Sequence, residues 1–339
     1  MSVAGILPLL PACDSFEVLP GSHSREVKEG GAPEFRHGVA SGDPLLDRVM
    51  LWTRVSNLST GTPVEWELAA DPEFKTLVRR SDDGLDATQP RSVTAARDYT
   101  CKVDVIGLQP ATVYYYRFRC GGVTSPVGRT KTAPATGAER VRLALVSCSN
   151  YSSGFFNAYK IAAQRDLDAV IHVGDYFYER GDAGTLGRPH DPPYEIVSLG
   201  DYRTRHAQYR TDADLQEMTR QHALIAVWDD HESSNDSWSG GAQNHQPETE
   251  GDWAPRMAAS VQAYEEWMPI RLPEPGNPAK IWRHLPFGDL FDLFMLDTRL
   301  QRNVPGTDTG LNSPEGYDPS RSMLGEAQRE WLFEGKRAS

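Results

Sequence analysis

Leu167-Asp168-Ala169-Val170-Ile171-His172-Val173 runs directly into Gly174-Asp175. A nearly continuous apolar run of this length, closed by a glycine and a carboxylate, reads as a buried strand with a polar residue at its C-terminal end. The same pattern stands on either side. Upstream, Val141-Arg142-Leu143-Ala144-Leu145-Val146 ends at Ser147-Cys148-Ser149-Asn150. Downstream, Ala223-Leu224-Ile225-Ala226-Val227-Trp228 ends at Asp229-Asp230-His231-Glu232. Helical patterns cover residues 157–163, 201–222 and 252–268, a further strand is expected over 291–297, and a last helix over 325–334. Strand and helix alternate, which predicts an α/β sheet covered by helices. In such sheets the C-terminal ends of the strands form the functional edge.

That edge collects Cys148, Asp175, Tyr178, Asp229, Asp230 and His231. Thiolate, carboxylate, phenolate and imidazole together suit a divalent or trivalent metal ion, or a pair of ions bridged by Asp175. Two ions held that way can grip one phosphate and activate a water. Each residue also has an ordinary reading. Cys148 alone reads as a small buried hydrophobe, and Gly174-Asp175 alone as a capping turn. Two adjacent aspartates followed by His231 and Glu232 are harder to place without a cation, because burying several charges together is costly unless something compensates them.

Residues 35–133 have a different texture. Short strands with period two are expected over 48–53, 64–69 and 99–105. The turn Gly107-Leu108-Gln109-Pro110 then feeds the aromatic run Val113-Tyr114-Tyr115-Tyr116. This is the pattern of a fibronectin type III or immunoglobulin-like β-sandwich with its tyrosine corner. Such a module orients or shields a neighbour and carries no chemistry itself. Residues 130–137 form a linker by composition, and the α/β part is expected from 138 to 339. Residues 1–34 are read as a leader or disordered arm. Their apolar start has no Lys or Arg before it and is broken by Pro8 and Pro11, which makes a poor signal peptide.

The chain has 339 residues, enough for two cores, and carries 35 basic and 47 acidic residues for a formal charge of −12. That balance argues against a nucleic-acid or anionic-membrane surface. A bound cation or local arginines can still reverse the field inside a cleft for a phosphorylated substrate. The sequence holds no apolar run long enough to predict a membrane span. The cysteines are Cys13, Cys101, Cys120 and Cys148, with no CxxC pair. Cys101 and Cys120 lie in neighbouring apolar segments, where they can pair across strands or stay as two free buried thiols.

Eight motifs occur in order: FRHGVASGDP (35–44), VMLWTRV (49–55), ALVSCSNY (144–151), IHVGDYFYE (171–179), AVWDDHESSNDSW (226–238), GGAQNH (240–245), EWMPIR (266–271) and MLDTR (295–299). In this combination the chain resembles the alkaline phosphatase D, or PhoD-like, family of metallophosphoesterases. The resemblance implies an α/β catalytic domain of metallophosphoesterase type behind the β-sandwich. It implies an exported enzyme, extracellular or periplasmic, that hydrolyses phosphomonoesters or phosphodiesters with ferric iron (Fe3+) and calcium. By resemblance Cys148, Asp175 and Tyr178 hold the iron, with Asp175 bridging to calcium. Asp230 matches the Asn of the Gly-Asn-His-Glu phosphoesterase motif, as a second-metal ligand or phosphate contact. His231 is expected in the ligand shell or at the transition state, and Asn235 and Asp236 beside the second metal or in an ordinary loop. Arg203, Arg205 and His206, on a helix near the cleft, are phosphate-binding candidates, a solvated helix face being the other reading. Trp228 and Trp238 are expected to pack.

The family also uses late ligands from a Gly-Asp-x-His motif and a further histidine. This sequence has no such motif and no histidine after His284. The catalytic domain is therefore expected to be incomplete, lacking its C-terminal part. Activity would then depend on a complementary C-terminal segment, or the chain would be an inactive remnant that binds metal weakly or serves as a partner-binding module.

Overall fold

The computed structural model describes residues 31–58, 62–82, 92–304 and 318–338. Most of the leader expected over residues 1–34 lies outside these. The N-terminal part runs β1 (Val39–Gly42), β2 (Arg48–Arg54), β3 (Thr62–Pro63), β4 (Glu65–Ala69), β5 (Leu77–Arg80), β6 (Ser92–Val93), β7 (Thr100–Ile106), β8 (Val113–Cys120), β9 (Val123–Thr124) and β10 (Gly128–Lys131). After it come β11 (Leu143–Val146), α1 (Asn157–Ala163), β12 (Ala169–His172), α2 (Leu199–Tyr209), α3 (Ala213–Gln221) and β13 (Ala223–Ala226). Then follow α4 (Pro247–Glu250), α5 (Trp253–Trp267), β14 (Arg283–Phe287), β15 (Phe291–Met295) and α6 (Glu326–Ala338).

The N-terminal β-sandwich and the α/β part share one sheet. Its order is β11-β12-β13-β1-β2-β7, and β1 joins β13 in parallel at Gly42↔Leu224. A Cβ on Gly42 would lie 2.2 Å from the Pro269 carbonyl oxygen and 2.6 Å from that of Leu224, so the junction requires glycine. The second sheet of the sandwich has the order β10-β8-β4-β5. Val49 and Leu51 of β2 face the sandwich core with Trp66, Tyr116 and Phe118. Trp52, the residue after Leu51, faces the other way onto Trp267 of α5. Its indole N–H donates to the Glu266 carbonyl at 2.8 Å. β2 is therefore buried on both faces, which is why its sequence is apolar without clean alternation. Tyr114 makes the corner expected at the 107–110 turn: its hydroxyl accepts from the Gln109 N–H at 2.9 Å. Cys101 and Cys120 are both free thiols, buried in this core.

Two elements differ from expectation. The single helix expected over 201–222 is two helices. The Asp212 side chain accepts from the N–H groups of Asp214 and Leu215, which caps a new helix where the first ends. The strand expected over 291–297, β15, pairs with β14 as a separate two-stranded sheet and does not extend the main one.

The parallel strands set up the functional edge. β11, β12 and β13 are level with one another, from Leu143, Ala169 and Ala223 to Val146, His172 and Ala226. Their C-terminal tails therefore leave the sheet side by side. No helix among the described residues is long and apolar enough to cross a membrane.

Candidate metal centre

The three tails are tied together by backbone. Val173 N–H donates to the Val146 carbonyl at 3.0 Å, Cys148 N–H to Gly174 at 3.2 Å, and Ser149 N–H to Asp175 at 2.8 Å. Val227 N–H donates to the His172 carbonyl at 3.1 Å. His172 itself is a structural residue. Its Nδ1 accepts from Gly174 N–H at 3.3 Å, its Nε2 lies 3.1 Å from the Ser149 and Tyr159 hydroxyls, and burial pushes its pKa down to about 3. Cys148, Asp175 and Asp236 have φ of 59°, 53° and 52°. Non-glycine residues held in the left-handed region carry strain, and such strain concentrates at functional sites.

Asp175, Asp230 and His231 form the centre. One potential ligand atom from each lies within 4.8 Å of the others. Asp175 is 7% exposed, and its Oδ2 accepts from the Tyr178 hydroxyl at 3.1 Å. Its Oδ1 is buried with no partner. Burial raises its pKa, and the neighbouring Asp230 and Asp229 charges add to the rise against the opposing pull of His231. Asp230 Oδ2 accepts from Asp236 N–H at 2.5 Å. His231 Nδ1 lies 2.6 Å from Glu179 Oε2, which leaves Nε2 as the nitrogen available to an ion. Burial opposes the charge on His231, but the bond and charge of Glu179, with Asp175 and Asp230 nearby, lift its pKa to about 8. A carboxylate with an orphaned buried oxygen, clustered with a second carboxylate and an oriented imidazole, is the donor set a hard or borderline cation takes. The residues fit a metal ion.

The Tyr178 ring lies against His231, centroids 4.2 Å apart and planes tilted by 36°. Burial, then the Asp175 and Cys148 charges, push its phenol pKa well up. Cys148 is exposed beside this hydroxyl and is not among the three clustered donors. Asn235 donates its backbone N–H to Glu179 at 2.9 Å and its side-chain amide to Gln243. Trp228 packs as expected, with its indole N–H on Asp297 at 2.9 Å.

Arg203, Arg205 and His206, expected as phosphate contacts, sit against other protein groups in the structure. Arg203 is paired bidentately with Glu266 of α5, both contacts 2.7 Å. Arg205 is fully buried, and its donors go to the carbonyls of Tyr178, Arg180, Asp191 and Pro192, so it staples the loop that carries Tyr178. His206 is buried and stacked on Trp267 at 10° between planes, and burial drives its pKa far down. Arg203 and Arg205 thus direct donors to other protein groups, and both ring nitrogens of His206 are buried without a hydrogen-bond partner.

Sequence reading missed three partners. Glu179 orients His231. Glu232 is buried and accepts from the N–H groups of Tyr176, at 2.5 Å, and Asp229, at 2.9 Å, which ties the tails of β12 and β13. Burial, then the Asp175 charge, raises its pKa to about 8. Arg299 pairs with Asp229 through Nε and, at 3.0 Å, through Nη2; Nη2 also lies 3.2 Å from Asp230 Oδ1. The signals available were Glu179 at the end of IHVGDYFYE and Arg299 at the end of MLDTR, each polar beside an apolar strand.

Fold and cluster together define a class: a β-sandwich joined to an α/β metallophosphoesterase-like domain with a strand-end cluster of potential metal ligands. Residues 143–339 match the PhoD-like phosphatase family, and residues 21–134 match the PhoD-like phosphatase N-terminal domain. The chain belongs to the PhoD-like phosphatase family. It is 40% identical to alkaline phosphatase D of Bacillus subtilis (strain 168) over 321 residues, covering 88% of this chain and 53% of that protein. Among solved structures it is similar to PhoD, with TM-score 0.80, 38% identity and coverage of 88% of this chain and 59% of the other. It also shares its fold with the purple acid phosphatase PPD1 of yellow lupin seeds, with TM-score 0.50, 18% identity and coverage of 79% and 46%. The chain thus spans about half the length of the curated relative it matches.

Proposed function

We propose that this chain holds the first part of a metal-dependent phosphoester hydrolase site of alkaline phosphatase D type, and that its described ligands alone bind a metal ion weakly. The observation that carries this is that Asp175, whose Oδ1 is buried without a partner, clusters with Asp230 and His231 within 4.8 Å. The reading assigns Asp175, Tyr178 and Cys148 to one cation, as for ferric iron, and Asp230 and Asn235 to a second, as for calcium. A bound cation would supply positive charge to a phosphate ester and acidify a water. The protein's own part is orientation: Glu179 fixes His231, the Tyr178 hydroxyl fixes Asp175, and Arg205 fixes the Tyr178 loop. The family likeness supports a place outside the cytoplasm.

A second reading, a weak metal-binding or partner-binding module without turnover, is favoured by two observations. Only three donors cluster among the described residues, where a two-cation hydrolase uses more. β11 pairs only with β12 among the described residues, and its Leu145 is 70% exposed beside Val173 at 43%. An open edge strand with exposed apolar side chains is an unsatisfied surface. In this reading it receives a complementary polypeptide segment.

Elemental analysis of the purified chain with p-nitrophenyl phosphate hydrolysis in added calcium separates the two. Near-stoichiometric iron and calcium-dependent turnover that Asp175→Ala abolishes would support hydrolysis by these residues alone. Weak Mn2+ or Ca2+ binding lost in Asp175→Ala, without turnover, would support the module. No metal binding under any condition would sink the hydrolase reading and leave only the partner-binding form of the second.

A further inference from the structure

We propose that Arg299 is a built-in counter-cation that competes with a divalent metal ion for the carboxylates of Asp229 and Asp230. The proposal rests on the metal-binding reading of the site and names a regulator of it.

The guanidinium is placed by a rigid turn. Asp297, fully buried, accepts through Oδ1 from the N–H groups of Arg299 and Leu300, each at 2.9 Å, and from the Trp228 indole at 2.9 Å. The backbone of Asp297 is held in turn by Gln328 of α6: Asp297 N–H donates to Oε1 and the Gln328 amide donates to the Asp297 carbonyl, both at 2.8 Å. Two contacts to one side chain from a distant helix fix where the turn sits. The turn delivers Arg299 to the tail of β13.

There its donors are spent on carboxylates. Nε and Nη2 take Asp229, Nη2 also lies 3.2 Å from Asp230 Oδ1, and Nη1 lies 3.5 Å from Asp236 Oδ1. The Arg299 side chain is 16% exposed, so the pairing is partly shielded from water. Asp230 is also one of the three clustered donors, and the cluster contains the buried, unpartnered Asp175 Oδ1. One Asp230 carboxylate therefore faces two claims, the guanidinium on Oδ1 and an ion at the cluster. A divalent ion drawn to Asp230 and Asp229 must displace the guanidinium or be repelled by it. The paired state keeps the acidic edge neutralised while no ion is bound, which removes much of the cost of four neighbouring aspartates. Arg302 offers a comparison within the same turn: its Nη2 is 3.9 Å from Asp236, and no pairing with Asp229 or Asp230 is formed.

Mn2+ alone is titrated calorimetrically into the full chain and into its Arg299→Gln and Arg302→Gln variants. Arg299→Gln is expected to bind Mn2+ about tenfold more tightly, since a unit charge at contact distance is removed, with a clearly smaller change for Arg302→Gln. Equal affinity of the unmutated chain and Arg299→Gln overturns the counter-cation role and leaves the metal-site reading standing. An equal gain from Arg302→Gln also overturns it, by showing a general charge effect. Absence of Mn2+ binding in all three chains overturns both the role and the reading. A second measurement needs no variant. Phenylglyoxal modification of Arg299, mapped by peptide mass spectrometry, is expected to rise when Mn2+ is added, because displacement frees the guanidinium. Unchanged or reduced labelling overturns the proposal.

Discussion

Gly174→Ala is the perturbation with the largest consequence for its size. Gly174 has φ of 105°, and a Cβ there would lie 2.3 Å from the Asp229 nitrogen and 2.4 Å from the Asp229 Cβ. The first fact alone costs an L-residue roughly 1–2 kcal/mol. The second forces backbone apart where the tail of β12 meets the tail of β13, for about another 1–3 kcal/mol. The expected loss is about 2–5 kcal/mol, a large part of a typical domain's stability. Gly122→Ala is the control. Its φ is 82° and nothing lies within 4 Å of the added carbon, so it carries the conformational cost alone. Urea unfolding of both variants, compared at constant slope, isolates the steric part as their difference. The movement also separates Asp175 from Asp230, so Mn2+ affinity should fall in Gly174→Ala and stay unchanged in Gly122→Ala. Equal stability and equal Mn2+ affinity of the two variants would refute the close approach of the tails.

Asp43→Asn should destabilise the chain by about 3–5 kcal/mol in a urea or thermal melt, because Asp43 is fully buried and takes Arg283 through two contacts of 2.7 Å. Acid should weaken the fold through its buried histidines. Burial holds His172 down to about 3 and His190 down to about 4, so the unfolded chain takes up their protons first, near the ordinary histidine pKa. That stability is fully present above about pH 6.5 and is lost as pH falls toward 4 and 3. Urea midpoints at pH 7, 5.5 and 4.5 should decline, and the decline should be shallower in His172→Asn. Among the described cysteines, thiol labelling followed by peptide mass spectrometry should modify Cys148, which is exposed, and spare Cys101 and Cys120 in the folded chain. Burial, with Cys120 adding to it, also lifts the Cys101 pKa to about 12, which keeps it a thiol.

Apolar periodicity by itself determined most of the elements, because burial on one or both faces of a segment is written locally. The runs ending at Cys148, Asp175 and Asp229 were legible as strands, and helix α1 occupies the residues its pattern indicated. Those strand ends also made Asp175, Asp230 and His231 legible as neighbours, since parallel strands in register release their tails on one edge. Which charges meet was decided only in three dimensions. Nothing in the sequence marks which partner Arg203, Arg205 and Arg299 each take. The fold gives the first a glutamate on α5, the second a set of loop carbonyls, and the third the aspartates of the cluster. His206 reads as a polar helix position until α5 brings Trp267 against it. The shared sheet was likewise invisible, because the single β1–β13 pair that fuses the two parts joins residues far apart in the chain. A charged side chain carries no local mark of its partner. Its role is set by whichever distant group the packing of strands and helices leaves within reach.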